Sequence, residues 1–405
     1  MKVKVKSIKF FFLTFVILVF THFFSFKGIN MQVYKGLEII LLLLFLWITI
    51  TGSRYNIKMH FKNYVYLFIL LPLISIIPAY ISHNQDISLS IYMWRFELIW
   101  LLYFVLHRIN ISATDVIRSI IVLAVLYVTI SIIQQLTYPS YWFYTRGDSV
   151  LTGKEIEIRL GFYRYMISGI DILIIAFFII FQKFISKINL LNKTAILCYF
   201  FLIGIYIFMT RQVLFGVIIN ILLAFLLIKS FNKKIALFIG IIIVTLIVSM
   251  NVESLFGELI TSAQDDTAND DYVRFQSYNF FLYDYWDGYG TILFGNGPEH
   301  QSSTYGKEIQ KYKDFNRFYR TDIGIIGAIN KNGVIYGITF LHLLFFIYFR
   351  HRRSLEIYQK QFLFYTTVLC IMIFPFSQTF ATVVFVVFLY LIDQSIHTKK
   401  IKKIV

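Results

Sequence analysis

Charge is scarce in this chain: Asp, Glu, Lys and Arg make up 15% of its 405 residues, against 58% hydrophobic and 19% aromatic. With a mean hydropathy of +0.70, that composition belongs to a polytopic membrane protein. Cysteine is nearly absent. Cys198 and Cys370 both fall inside apolar stretches, so neither a disulfide framework nor a cysteine-based metal site is available, and they say nothing about compartment. Acidic residues are outnumbered, 22 against 38 basic, for a formal net charge of +16. This excess does not make a nucleic-acid surface, because the basic residues sit in short clusters between apolar spans, as in the cytoplasmic loops of membrane proteins. Internal repeats, coiled-coil heptads, low-complexity linkers and the short alternating strands of a membrane barrel are also missing, which leaves helices as the spanning element. The start, Met1-Lys2-Val3-Lys4-Val5-Lys6 before apolar Phe10 to Phe20, imitates a secretory signal but lacks a small-residue cleavage site, and reads as an uncleaved first helix.

What is present is a series of apolar runs of the length needed to cross a bilayer, about 20 residues for a core of about 30 Å. Twelve spans can be drawn, at 9–26, 36–52, 64–82, 89–107, 116–136, 159–181, 194–210, 212–228, 235–250, 322–349, 361–375 and 376–393. The turn Pro375-Phe376-Ser377-Gln378 leaves open whether the last two are separate or one kinked helix. Basic clusters favour an even number. Lys2, Lys4, Lys6 and Lys9 at the start and Lys399, Lys400, Lys402 and Lys403 at the end put both termini in the cytoplasm. Arg54/Lys58/Lys62, Lys183/Lys187/Lys193, Lys229/Lys233/Lys234 and Arg350/Arg352/Arg353 then also lie inside, and the 82–88 loop, free of Lys and Arg, lies outside. The expected architecture is an all-α polytopic membrane protein, one domain over residues 1–405, with a large outer loop at 251–321 ahead of the tenth span.

That loop is the chain's main polar interruption. Tyr272 to Trp286 predicts a helix, with Phe275, Tyr278, Leu282 and Tyr285 on one face and Arg274, Ser277 and Asp284 on another. It fits an interfacial helix on the outer leaflet; the plain alternative for Arg274 is a snorkelling side chain. Phe294-Gly295-Asn296-Gly297-Pro298 reads as a tight turn and, without a preceding strand or a Lys-Ser/Thr, not as a phosphate loop. His300 has no His or Cys at ligand spacing. The pairs Asp265-Asp266 and Asp270-Asp271 lack the spacing of a calcium loop and read as a solvated acidic hinge. Tyr138, Tyr141, Trp142 and Tyr144 suit either sugar stacking or interfacial anchoring.

Arginines dominate the outer side: Arg159 and Arg164 at the head of the sixth span, Arg211 between the seventh and eighth, then Arg274, Arg317 and Arg320. Within the membrane, Arg95 and Glu97 stand two apart on the fourth span and cannot face each other, so each needs a partner elsewhere. Arg211 is either functional or snorkels to lipid phosphate. So many guanidinium groups against few acids suit a diphosphate ligand, which they bind bidentately.

The ordered set Thr210-Arg211, Arg274, Leu293-Phe294-Gly295-Asn296-Gly297-Pro298, Asp322, Gly333 and Tyr336 resembles the O-antigen polymerase and O-antigen ligase superfamily over roughly residues 205–340. The resemblance implies a GT-C-like glycosyltransferase acting on undecaprenyl-diphosphate-linked glycans outside a bacterial cytoplasmic membrane. It assigns Arg211 and Arg274 to the donor's diphosphate. Where ligases carry a His as the proposed base, this chain has Asp322, which resembles the polysaccharide polymerases of capsule and exopolysaccharide systems. The implied reaction joins lipid-linked repeat units, with Asp322 orienting or deprotonating the attacking hydroxyl and Arg159, Arg164, Arg317 and Arg320 helping to hold phosphate or acidic sugars. No cofactor or metal is implied. Partners implied are the lipid-linked oligosaccharide, membrane lipids, a chain-length regulator and a flippase. A ligase has the same architecture, and a flippase is the non-enzyme alternative, although a flippase would show internal halves and a smaller outer loop.

Overall fold

The structure, a computed structural model, describes residues 5–52, 58–143, 158–159, 162–163, 165–186, 192–208, 210–227 and 273–404. These residues are helical almost throughout. Six helices are long and apolar enough to cross a membrane: Met31–Thr51, Lys62–His83, Ile87–Ile109, Ala113–Leu136, Val334–His351 and Thr379–Lys399. The chain is an all-α, multi-pass membrane protein. Shorter apolar helices lie at Ile8–Phe20, Lys193–Phe208 and Gln212–Ala224, and the expected span at 235–250 falls outside the described residues.

Several elements differ from the sequence expectation in ways that bear on the site. The sixth span, expected from Arg159, begins at Ile170, because Ile158–Arg159 pairs antiparallel with Phe162–Tyr163 in a short ribbon. The stretch expected as one span at 322–349 is two helices, Gly324–Asn332 and Val334–His351, separated at Gly333. The last two spans are distinct helices, Ile357–Leu369 and a final one from Thr379 to Ile404, with Cys370 to Gln378 outside regular helix between them. The fourth span tightens into 3-10 turns over Arg95–Leu101.

Packing divides the chain into two compact units. One comprises residues 1–35, 114–270 and 356–365. Its centre is the helix Ile170–Ser186, apolar all round and buried without a break from Ile172 to Phe178, as a helix without a polar face must be. Polar ties join distant parts of it: the Thr14 hydroxyl donates to Ser119 Oγ at 3.0 Å, and the Tyr127 hydroxyl donates to the Ile167 carbonyl at 3.1 Å.

The other unit comprises residues 36–113, 271–355 and 366–405. Along Met31–Thr51, Ile40, Leu43, Trp47 and Ile50 recur at helical spacing and are each 60% exposed or more, an apolar stripe suited to lipid. The interior is aromatic: Phe68 stacks on Trp100 at 4.6 Å, Phe376 meets Trp100 edge-on at 4.8 Å, and Tyr336 and Phe340 pack against Phe374 at 6.0 and 4.9 Å. Toward the basic ends of the spans, Asp393 is completely buried. Its carboxylate accepts from the His60 backbone N–H at 3.3 Å, the His60 ring at 2.9 Å, the His107 ring at 3.1 Å and the Tyr103 hydroxyl. Four donors fill the lone-pair sites of one carboxylate, so this knot is saturated.

Candidate functional site

Residues 273–323 fold into a cap whose own core is Phe281, Tyr285, Tyr305, Ile309, Phe318 and Ile323. Its first helix, Val273–Asn279, widens into a π-helical turn over Phe280–Asp284. The widening favours an i, i+4 stripe, and Ser277, Phe281 and Tyr285 face inward. The expected face of Phe275, Tyr278, Leu282 and Tyr285 is therefore split: Tyr285 is buried while Phe275 is 61% exposed.

The Phe294–Pro298 turn is the fastening of the cap. A helix leaves its last carbonyls without intrahelical donors, and here the turn supplies them: the Asn296 N–H donates to the Asn330 carbonyl at 2.9 Å and the Gly297 N–H to the Lys331 carbonyl at 2.8 Å. Both partners of the contact need glycine. Gly295 has φ +85° and a Cβ there would stand 2.3 Å from the Lys331 carbonyl oxygen; Gly333 has φ +90° and a Cβ would stand 2.2 Å from the Leu293 carbonyl oxygen. The amide of buried Asn296 donates to the Tyr285 carbonyl at 3.1 Å, and its oxygen faces His83 Nε2 at 2.9 Å. Asn330, also buried, donates to the Phe281 carbonyl at 2.9 Å.

Gln85, which follows the span Lys62–His83, completes the fastening. Its amide nitrogen donates to the Pro298 carbonyl at 2.8 Å, and its oxygen accepts from the His300 N–H at 2.9 Å and the Ser303 hydroxyl at 2.7 Å. Gly297 rests on Ser75 and Ala79 of that span.

Around this fastening lies a line of charges. Arg320, only 6% exposed, donates from Nη1 to Glu299 Oε2 at 3.3 Å and is ringed by Phe281, Tyr285 and Tyr305 at 5.4 to 5.5 Å. Its Nε and Nη2 are buried and meet no hydrogen-bond acceptor among the described residues. Glu299 also pairs with Lys313 at 3.4 Å. Burial alone would push the Glu299 carboxyl up, but Arg320, with Lys331 and Lys313, outweighs it and holds the carboxyl down at about 2. Lys331, half-buried, lies within electrostatic reach of Glu299 and of Glu97 in the 3-10 stretch.

Of the residues singled out from sequence, Arg320, Gly295, Gly297 and His300 belong to this assembly. Asp322 sits half-buried in the 3-10 turn Arg320–Asp322 and accepts the Thr321 hydroxyl at 3.0 Å. Arg274 is half-buried in the helix Val273–Asn279, whose first residue packs on the cap core. Arg95 lies over the Tyr92 ring at 3.4 Å, and Tyr92 meets His300 edge-on at 5.6 Å. His300 also bonds Ser302 Oγ at 2.7 Å, and among the described residues no group of three His, Cys, Asp or Glu could hold a metal. Arg317 is exposed with φ +58° and is not brought to the charged line.

The remaining arginines stand elsewhere. Arg211 opens the helix Arg211–Leu227, but its side chain lies outside what the structure describes, as does that of Arg159 in the ribbon. Arg159 is therefore on a strand and not at a helix head. Arg164 and the Asp265-Asp266 and Asp270-Asp271 pairs lie outside the described residues altogether.

Glu299, Asn330, His83, Gln85 and Lys331 are not singled out by the sequence as functional. Glu299 had one usable signal, an acid directly after a Gly-x-Gly-Pro turn in a loop otherwise rich in arginine. Buried Asn330 has none, since Asn in an apolar chain reads as a turn former until its partners are known. No family model matches the chain, and no curated protein matches it in sequence.

Proposed function

We propose that this protein is a GT-C-like membrane glycosyltransferase that joins undecaprenyl-diphosphate-linked repeat units into a surface polysaccharide at the outer face of a bacterial cytoplasmic membrane. In this reading the growing chain on its lipid diphosphate is the donor, and a hydroxyl of a new lipid-linked unit is the acceptor. Arg211 and Arg274 neutralise the departing diphosphate, a role for which preorganised charge is worth about 10² to 10³ in rate. Asp322 orients the attacking hydroxyl or takes its proton. Arg320, Arg95 and His300 line the approach to the acceptor.

The observation that carries the reading is the interlock between Leu293–Pro298 and the helix break at Gly333. These are two pieces of the motif set on which the family resemblance rests, and they meet backbone to backbone, with Asp322 and Arg320 at the other end of the same short helix. The polymerase reading is favoured over the ligase by Asp322, which stands where ligases carry a His.

Reconstitution of the purified protein in liposomes with lipid-diphosphate repeat units tests this. A ladder of lipid-linked products is expected, and Arg211→Ala and Arg274→Ala each abolish it while still inserting. Transfer of finished polymer to a separate acceptor without a ladder would instead make the protein a ligase, and wild-type ladders from both variants would remove the arginines from the mechanism.

A further inference from the structure

His83 closes the span Lys62–His83 at the end where the cap is fastened. The helix stops there because Asn84 takes left-handed backbone, φ +49°, and the Gln85 N–H returns to the Ala79 carbonyl at 3.1 Å. The His83 ring is held against the cap. It stacks on Tyr305 at 4.3 Å, 12° from parallel, and lies parallel to Tyr285 at 5.8 Å. The same two rings border Arg320, each 5.5 Å from its guanidinium carbon, so His83 and Arg320 belong to one assembly.

Hydrogen bonding fixes which nitrogen of this imidazole carries a proton. The Asn296 amide nitrogen donates to the Tyr285 and Asn330 carbonyls at 3.1 and 3.2 Å, and the reverse orientation would set an amide oxygen against two carbonyl oxygens. The Asn296 oxygen therefore faces His83, and as an acceptor it requires a proton on Nε2, 2.9 Å away. In the neutral ring Nδ1 is then the bare lone pair. That nitrogen has no hydrogen-bond partner among the described residues and is not buried, so it opens to the surface of the half-buried ring. His300, also in the assembly, differs: its Nδ1 already accepts the Ser302 N–H at 3.2 Å and faces the Ser302 hydroxyl at 2.7 Å. An imidazole with one nitrogen committed to an orienting group and the other free and accessible has the geometry of a general base.

We infer that His83 takes the proton of the attacking sugar hydroxyl in the glycosyl transfer proposed above, with Asn296 as the residue that orients it. As the acceptor oxygen bonds to the donor's anomeric carbon, its proton passes to His83 Nδ1. The bond from that carbon to the diphosphate oxygen breaks, and the electron pair leaves with the lipid diphosphate. The imidazolium so formed has aromatic rings beside it, whose faces attract a cation, and its Nε2–H keeps Asn296 as acceptor. It then releases the proton to water from the open Nδ1. Among the ionisable groups around the ring, Arg320 opposes the new charge and Glu308 and Asp287 favour it, while burial keeps the Tyr285 and Tyr305 phenols neutral. Asp322 is left to orient the acceptor. The inference rests on the glycosyltransferase reading.

The test is the initial rate of repeat-unit joining in proteoliposomes as a function of substrate and pH. His83→Gln keeps an amide N–H to face Asn296 but has no basic nitrogen. It is expected to lower kcat by about 10² to 10⁴ with KM within about threefold. It should also remove the acid limb that an imidazole gives the kcat profile between about pH 5 and 8. Added imidazole should return part of the rate to His83→Ala. A wild-type kcat in His83→Gln, with Arg274→Ala inactive in the same assay, overturns the role of His83 and leaves the enzyme reading standing. An equal fall in kcat with the acid limb intact and no rescue by imidazole also overturns it, making His83 a packing residue. No ladder from wild type takes both readings down. If His83→Gln fails to insert, the wild-type profile decides: an acid limb in that range upholds the inference, and a flat kcat overturns it.

Discussion

Two buried charge clusters occur in the same unit of this protein and are built on opposite plans. Asp393 is fully enclosed, and every lone-pair site of its carboxylate is taken by His60, His107 or Tyr103. The cluster of Arg320, Glu299 and Lys313 is open: two Arg320 nitrogens meet no hydrogen-bond acceptor among the described residues, and Glu299 and Lys313 keep accessible surface. A saturated network gains rigidity and offers a ligand nothing, whereas an unsaturated one beside solvent keeps donors and acceptors for something else. The contrast separates a knot that holds helices from a site that can do chemistry.

The contrast can be broken by mutation, and the largest effect belongs to the knot. Asp393→Ala strands two imidazoles and a phenol in the interior and should cost about 3–5 kcal/mol, read as a lower unfolding midpoint in detergent, with activity per folded molecule unchanged. Gly333→Ala comes next: a positive φ and collision with the Leu293 carbonyl should together cost about 2–4 kcal/mol, and because the cap fastening is lost, activity should fall with stability. If Gly333→Ala unfolds the cap without affecting activity, the cap is not part of the site.

Glu299 gives a smaller, pH-dependent effect. Its carboxyl is held at about 2, below its ordinary 4.5, so it contributes stability in full above about pH 4.5 that is lost as pH falls toward 2. The difference in unfolding midpoint between wild type and Glu299→Gln should therefore be widest at neutral pH and vanish in acid. A difference that persists at pH 2 would mean that packing, not charge, is what Glu299 contributes. The smallest effect is expected at Arg317, exposed and left-handed, where Arg317→Gly should change stability by no more than about 0.5 kcal/mol. A loss of activity there would extend the charged line to the cap's outer surface.

Much of this was legible in the chain and some was not, for identifiable reasons. Membrane helices announce themselves by length and hydropathy, and the spans at 36–52, 64–82, 89–107 and 116–136 match helices within a few residues. Breaks inside apolar runs do not announce themselves, because hydropathy is blind to backbone geometry: 322–349 reads as one span although Gly333 divides it. The turn at Phe294–Pro298 is readable as a turn, but its partner is not, since Asn330 and Lys331 are joined to it by backbone hydrogen bonds and by the Asn296 amide across more than thirty residues of sequence. The same holds for Asp393, whose partners come from residues far away in sequence. Arg320 was visible as one arginine among six on the expected outer side; only its burial with Glu299 distinguishes it from exposed Arg317.

Photo-crosslinking addresses the central claim, that the fastened cap and the helix break beneath it form a lipid-diphosphate glycan site. A polyprenyl diphosphate carrying a photoreactive group next to the diphosphate would be irradiated with the protein in liposomes and the labelled peptides mapped. Labelling should concentrate in 293–300 and 320–333 and be competed by unlabelled lipid diphosphate. Label confined to lipid-facing residues such as Ile40, Leu43 and Trp47, and indifferent to competitor, would contradict it.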